Sequence, residues 1–166
     1  MGHLLLGALA ERARADGLER LRAVVGRLRA PSRPARVLLV DDDELQRRRV
    51  RLWLEAEQWN VDEAEGGQAA LARIAAARPD VILLDLMMPE MDGFALVAAL
   101  QADARNREIP VIVITALDLS EQDRARLNSG IESVLLKDDF KPEELVRRIR
   151  RLVQARGRDD DRKSRA

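Results

Sequence analysis

Short apolar runs alternate with longer amphipathic stretches along most of this chain of 166 residues. Most of the runs are continuous stretches of Val, Ile and Leu, which is typical of strands buried on both faces of a parallel sheet. Strands that alternate with helices predict an α/β domain with a doubly wound parallel sheet of (βα)5 type. The predicted strands are 37–40, 61–64, 81–84, 111–114 and 133–136, and the predicted helices are 43–58, 67–77, 93–103, 120–129 and 142–155.

The segments on either side of residues 37–155 follow different patterns. Leucine and valine recur at helical spacing between residues 18 and 28, so residues 1–30 are predicted to form an amphipathic helical extension. Two prolines mark residues 31–36 as a linker. Residues 156–166 are charged and nearly free of apolar side chains, which predicts a disordered tail.

Composition narrows the class of protein. Hydrophobic residues make up 46% of the chain, and charged residues make up 35% with a formal net charge of +0, so no general attraction to nucleic acid is expected. The chain has no cysteine, which excludes disulfides and thiolate metal ligands. No apolar segment approaches the roughly 20 residues of a membrane-spanning helix. We therefore expect a cytoplasmic protein without membrane insertion or nucleic-acid binding.

Polar residues stand at the ends of four predicted strands, and the carboxyl ends of parallel strands share one edge of a doubly wound sheet. Carboxylates that lie close together raise one another's pKa unless a cation intervenes. A ligand set of oxygens alone favours a hard cation such as Mg²⁺. One of the carboxylates could then act as a nucleophile toward a phosphoryl group and form an acyl phosphate. The residues are Asp41 and Asp42 after the first strand, Asp85 after the third, Thr115 after the fourth and Lys137 after the fifth.

The acidic run Asp41–Glu44 has a second interpretation. Acids are favoured in the first turn of a helix by the macrodipole, so the run alone is compatible with an ordinary helix start. Asp85 on a nearby strand favours the cation site instead. A solvated helix face is predicted for the arginines that follow, with a partner-docking patch as the alternative. These residues are Arg47, Arg48, Arg49 and Arg51.

Four segments carry a family resemblance. The segments "VLLVDDDE", "VILLDLMMPEMDG", "VIVITAL" and "VLLK" resemble, in order and spacing, the receiver domain of bacterial two-component response regulators. The resemblance covers about residues 37–155 and implies a flavodoxin-like fold with strand order 2-1-3-4-5. The segment "RARLNSGIESVLLKDDF" is similar to the C-terminal receivers of hybrid sensor kinases.

The resemblance also implies how the acidic residues work. Asp85 would accept a phosphoryl group from the phosphohistidine of a histidine kinase or of a histidine phosphotransfer protein. Asp42, Asp85 and the backbone carbonyl of Met87 would bind Mg²⁺, and Asp41 would act mainly through water. Such a protein is a signalling switch that turns over only its own phosphoryl group, so we do not expect a metabolic enzyme.

Lys137 and Thr115 would respond to phosphorylation in this resemblance. Lys137 would pair with the phosphoryl group, and Thr115 would move to hydrogen-bond it. The face formed by the fourth strand, fourth helix and fifth strand is the expected surface for a downstream protein partner. A homodimer through that face or through the N-terminal helix is a further expectation. The sole histidine is His3, so the phosphodonor is expected to be another protein, another part of a longer chain or a small acyl phosphate.

The chain departs from the receiver pattern around the last strand. Asp138 stands where receivers carry a proline, and Val134 occupies the position of their usual aromatic switch residue. A cis bond before a non-proline residue costs about 2.5–4 kcal/mol, so the Lys137–Asp138 bond is predicted to be trans. Met87 and Leu117 occupy the two positions that tune phosphate lifetime, and neither can orient a water, which predicts slow self-dephosphorylation.

Two alternatives to a phosphorylated receiver remain open at this point. The altered loop after Lys137 is compatible with a pseudo-receiver that serves only for interaction or dimerisation. An aspartyl-phosphate hydrolase of the haloacid dehalogenase type would need a DxD motif and a cap domain, and the chain has no room for that cap. Because only residues 156–166 follow the last predicted helix, no DNA-binding output domain is expected.

Overall fold

The structure is a computed structural model that describes residues 33–127 and 130–164. The predicted helical extension over residues 1–30 and the start of the predicted linker lie outside the described residues. The elements are β1 (Arg36–Val40), α1 (Glu44–Glu55), β2 (Asn60–Ala64), α2 (Gly67–Ala76), β3 (Val81–Leu84), α3 (Gly93–Ala102), β4 (Val111–Thr115), α4 (Glu121–Leu127), β5 (Ser133–Leu136) and α5 (Pro142–Ser164).

The five strands form one parallel sheet in the order β2-β1-β3-β4-β5. This order confirms the predicted flavodoxin-like fold. The chain first adds β2 on one side of β1 and then crosses over to add β3 on the other side, so β1 and β3 are neighbours at the centre. The residues that follow β1 and β3 therefore lie side by side at the carboxyl edge, where doubly wound sheets bind ligands.

Two apolar cores cover the two faces of the sheet because successive strand side chains point to opposite sides. Val37 and Leu39 of β1 face the core that α1 and α5 cover. Leu38 and Val40 face the core that α2, α3 and α4 cover. All four residues of β3 are buried, which explains why their run is continuously apolar. The strand ends are thus held from both sides.

The predicted strand limits agree with the structure to within one residue, and the helices differ mainly at their C-terminal ends. Helix α1 ends before its predicted limit, and Gln58 beyond it has a positive φ of 62°.

Helix α5 differs more from its prediction. It continues to Ser164, so the predicted disordered tail over residues 156–166 is helical as far as the described residues extend. Arg156 donates to the carbonyls of Asp80 at 3.2 Å and Glu108 at 2.8 Å, which ties this part of the helix to the domain. Asp159 and Lys163 carry opposite charges four residues apart, which also supports a helix here. Within the described part of the chain, no helix is long and apolar enough to cross a membrane.

Candidate functional site

Three carboxylates meet where β1 and β3 end, and we call Asp41, Asp42 and Asp85 the acidic corner. Oxygen atoms from the three side chains all lie within 4.8 Å of one another. Asp41 is 6% exposed and Asp85 is 5% exposed, whereas Asp42 lies in solvent. The Asp41 N–H donates to the carbonyl of Ala64 at 3.1 Å, and the Asp85 N–H donates to that of Val40 at 2.9 Å. The sheet therefore places both buried carboxylates.

Lys137 brings a positive charge to the acidic corner. Its Nζ donates to Asp41 Oδ2 and to Asp85 Oδ2, at 3.0 Å in each case. Burial alone would lower the pKa of the ammonium, but the hydrogen bonds and charges of the two carboxylates outweigh it and raise the pKa above 10.5. The ammonium is therefore charged at neutral pH, and it is shared by two acids.

Negative charge at the acidic corner exceeds what Lys137 supplies. Burial raises the pKa of Asp41 above its ordinary value of 3.8, and the charge of Asp85 adds to this. Hydrogen bonds from the Asp43 N–H and from Lys137 oppose the increase only in part. Three carboxylates with no nitrogen or sulfur donor form a ligand set suited to a hard cation such as Mg²⁺. The residues present therefore fit the predicted ion.

The acidic run after β1 serves two purposes. Asp43 caps α1, because its Oδ1 accepts from the N–H groups of Leu45 at 2.9 Å and Gln46 at 3.2 Å. The N–H of Asp43 in turn donates to Asp41 Oδ1 at 2.9 Å. The helix-start interpretation is thus right for Asp43, while Asp41 and Asp42 belong to the acidic corner.

Thr115 and Met87 lie beside the acidic corner. Thr115 ends β4 and is fully buried, and its Oγ1 accepts from the N–H of Leu117 at 3.2 Å. Its carbonyl accepts from the N–H of Lys137 at 3.0 Å, so the two residues are joined through the main chain. The N–H of Met87 donates to Asp85 Oδ1 at 3.2 Å, and its side chain is exposed. The carbonyl of Met87 as a metal ligand and the movement of Thr115 stay predictions.

Gly93 is needed because the chain passes close behind the acidic corner. A Cβ on Gly93 would lie 2.6 Å from Leu86 Cα and 2.7 Å from the carbonyl oxygen of Asp85. Both neighbours are main-chain atoms that cannot move aside alone. Asp92 caps the same helix by accepting from the N–H of Ala95 at 2.8 Å. The Asp-Gly pair therefore turns the loop into α3 directly under Asp85.

The loop from β5 to α5 packs against α1. No peptide bond in the described residues is cis, so Lys137–Asp138 is trans as predicted. The Phe140 ring meets that of Trp53 edge to face, with centroids 6.2 Å apart. Beside this contact lies a cavity of about 240 Å³, which is lined by both rings and by Asp85 and Lys137. The longer loop is thus held by an aromatic contact.

The prediction of a solvated face for the arginines of α1 is wrong for Arg47. Its side chain is only 13% exposed, and its Nη1 donates to the carbonyl oxygen of Asp41 at 2.7 Å. Helical spacing could have found it, because Val50 and Leu54, the buried residues of α1, follow Arg47 by three and seven positions and lie on the same face. The acid that pairs with it, Glu63, lies on β2 and was assigned no role.

Comparison with known proteins agrees with this geometry. The family model of the response regulator receiver domain matches residues 37–150. The chain belongs to the response regulator receiver family. The resemblance inferred from the four strand-end segments is therefore confirmed, and the acidic corner lies at the carboxyl edge of a receiver domain.

Individual receivers are similar over most of this chain. Response regulator PleD of Caulobacter vibrioides is 45% identical over 123 residues, covering 72% of this chain and 26% of PleD. The probable transcriptional regulatory protein TcrX of Mycobacterium tuberculosis is 36% identical over 129 residues, covering 78% of this chain and 54% of TcrX. This chain therefore spans about half the length of TcrX and about a quarter of PleD.

A solved receiver has the same fold. The receiver domain of Francisella response regulator 1452 is 33% identical and superposes with a TM-score of 0.66, covering 73% of this chain and 98% of that one. The resemblance to receivers of hybrid sensor kinases stays a prediction.

Proposed function

We propose that this receiver accepts a phosphoryl group on Asp85 from a phosphohistidine, with Mg²⁺ bound at the acidic corner. The observation that carries the proposal is the position of Lys137 Nζ, 3.0 Å from Asp41 Oδ2 and 3.0 Å from Asp85 Oδ2. A buried carboxylate with a cation on one side and two further carboxylates beside it is arranged for phosphoryl chemistry, which depends mainly on positioning and charge neutralisation.

In the proposed step a carboxylate oxygen of Asp85 attacks the phosphorus of phosphohistidine. The new P–O bond forms as the P–N bond breaks. The electron pair of the P–N bond stays on the imidazole nitrogen, which takes up a proton. Lys137 is placed to pair with an oxygen of the incoming group, and the N–H of Met87 orients the Asp85 carboxylate. When bound, Mg²⁺ would neutralise negative charge on the phosphoryl oxygens.

The proposed output is a switch rather than metabolic turnover. Receiver domains interact with histidine kinases and with downstream effectors, and we propose both kinds of partner for this chain. Thr115 at the end of β4 is joined through its carbonyl to Lys137 at the end of β5. Phosphorylation of Asp85 would therefore affect the face formed by β4, α4 and β5 through Lys137 and Thr115. Dimerisation through this face and a cytoplasmic location stay predictions.

Beryllofluoride, a mimic of the phosphoryl group, tests the proposal without a cognate kinase. Trp53 lines the cavity beside Asp85, so its fluorescence is expected to change when beryllofluoride and Mg²⁺ are added together. An Asp85→Asn variant is the matched control and should show no change. A pseudo-receiver would leave the fluorescence of both proteins unchanged, which would contradict the proposal.

Turnover separates the switch from an aspartyl-phosphate hydrolase. A switch consumes about one phosphoryl group per protein and then stops until that group is lost. A hydrolase would cleave p-nitrophenyl phosphate repeatedly at a constant rate. Sustained turnover that Asp85→Asn abolishes would overturn the assignment as a switch.

A further inference from the structure

Asp42 raises a problem of positioning, because it is the exposed member of the acidic corner. Its carboxylate comes within 4.8 Å of the other two without a core to hold it. The main chain on its two sides must therefore set its direction. Each peptide unit is planar, so a hydrogen bond to either of its polar groups orients the whole plane.

Both peptide planes that flank Asp42 are held. The plane after it contains the N–H of Asp43, which donates to Asp41 Oδ1 at 2.9 Å. The plane before it contains the carbonyl of Asp41, which accepts from Arg47 Nη1 at 2.7 Å. Arg47 lies one turn into α1 and reaches back over six residues to make this contact. The loop that carries Asp42 is thus fastened at both ends.

The contacts of Arg47 show which partner its position favours. Glu63 on β2 lies 3.5 Å from Nε as an ion pair, and it also pairs with Arg51 at 2.6 Å. Yet Arg47 Nε is buried without a hydrogen bond to any described residue. If pairing with Glu63 were the only role of Arg47, its Nε would be expected to donate a hydrogen bond to Glu63, because buried polar groups are normally hydrogen-bonded. The side chain is instead extended toward the carbonyl of Asp41.

We propose that Arg47 is a positioning residue that sets the direction of the Asp42 carboxylate by holding the carbonyl of Asp41. Glu63 supports Arg47 from β2. This inference rests on the proposed Mg²⁺ site, since Asp42 is expected to be one of its ligands. Groups that orient metal ligands typically change metal affinity or activity by about 10- to 100-fold when they are removed.

The test compares two arginines of one helix. Arg47→Met removes the contact with Asp41, and Arg48→Met is the matched control because the Arg48 side chain is 71% exposed and pairs with exposed Glu44. Mg²⁺ affinity is measured by titration, and amide hydrogen exchange of Asp43, whose N–H donates to Asp41 Oδ1, is measured on metal-free protein. Urea unfolding shows that each variant is folded under the conditions of the titration.

We expect Arg47→Met to bind Mg²⁺ about 10-fold or more weakly and to exchange the amide of Asp43 faster. Arg48→Met should match wild type in both measurements. Affinity and exchange in Arg47→Met equal to those of Arg48→Met would overturn the inference. If Arg47→Met does not fold, Arg47→Gln against Arg48→Gln decides by the same criterion, because the shorter amide side chain cannot reach the carbonyl of Asp41 as the arginine does.

Failure of the inference and failure of the proposed function give different results. A wild-type protein that binds no Mg²⁺ overturns the proposed function. The exchange measurement needs no metal, so it still decides whether Arg47 holds the loop.

Discussion

Lys137→Met removes the ammonium that lies 3.0 Å from both Asp41 Oδ2 and Asp85 Oδ2. Each contact carries roughly 5 to 6 kcal/mol of gross attraction at an effective dielectric constant of about 20. Taking the ammonium out of water offsets much of that attraction, so the net effect is smaller. Two buried carboxylates left without their cation are expected to lower the free energy of unfolding of metal-free protein by about 3–5 kcal/mol at neutral pH.

The loss is expected to depend on pH with a defined sign. Burial, with the charge of Asp85, already raises the pKa of Asp41, and the variant loses the Lys137 contacts that oppose this increase. Above pH 3.8, Asp41 therefore binds more protons in the folded variant than in the unfolded chain. The stability of the variant falls as the pH rises from this value through the raised pKa of folded Asp41. The loss of unfolding free energy in Lys137→Met relative to wild type should therefore be smaller at about pH 5 than at about pH 7.5.

Urea unfolding in EDTA, followed by the fluorescence of Trp53 and Trp59, measures this effect because both rings pack against the core. Lys141→Met is the control, since Lys141 is exposed and its replacement should change the free energy of unfolding by less than about 0.5 kcal/mol. Added Mg²⁺ should restore part of the stability of Lys137→Met. A loss equal to that of Lys141→Met, or one independent of pH, would refute the reasoning.

Two further predictions concern the loops around Asp85. Gly93→Ala should lower the free energy of unfolding by about 1–3 kcal/mol, because its Cβ meets main-chain atoms. Gly66→Ala, whose Cβ meets nothing within 4 Å, should not lower it, and equal urea midpoints for the two variants would disprove the steric argument. A double variant, Met87→Asn with Leu117→Glu, should lose a phosphoryl label faster than wild type, because the apolar wild-type residues cannot orient a water. Identical rates of label loss in wild type and the double variant would contradict the prediction of slow self-dephosphorylation.

The carboxyl edge of the sheet was predictable because the strand limits follow from local patterns, while the strand order was implied by the resemblance to receiver domains. Asp85 and Lys137 each end a run of apolar residues, so the ends of β3 and β5 could be located to the residue. A parallel sheet then places these ends at one edge, whatever the details of packing. The position of Asp41 at the end of β1 follows in the same way.

The support around the site could not be predicted, since it depends on how distant elements lie against each other. Helical spacing puts Arg47 on the buried face of α1 with Val50 and Leu54, but its pairing with Glu63 depends on how α1 lies over β2. Helix α5 looks frayed after residue 155 until Arg156 is seen to reach the carbonyls of Asp80 and Glu108. The contacts involved join residues far apart in sequence, and no local pattern encodes them.

The central claim is that Asp85 is the phosphoacceptor of a metal-dependent switch, and intact-mass measurement after incubation with acetyl phosphate tests it most directly. Wild-type protein with Mg²⁺ should gain the mass of one phosphoryl group, and the same protein in EDTA should not. Asp85→Asn should gain none under either condition. A wild-type protein without an Mg²⁺-dependent adduct, or an Asp85→Asn protein that still acquires one, would contradict the claim.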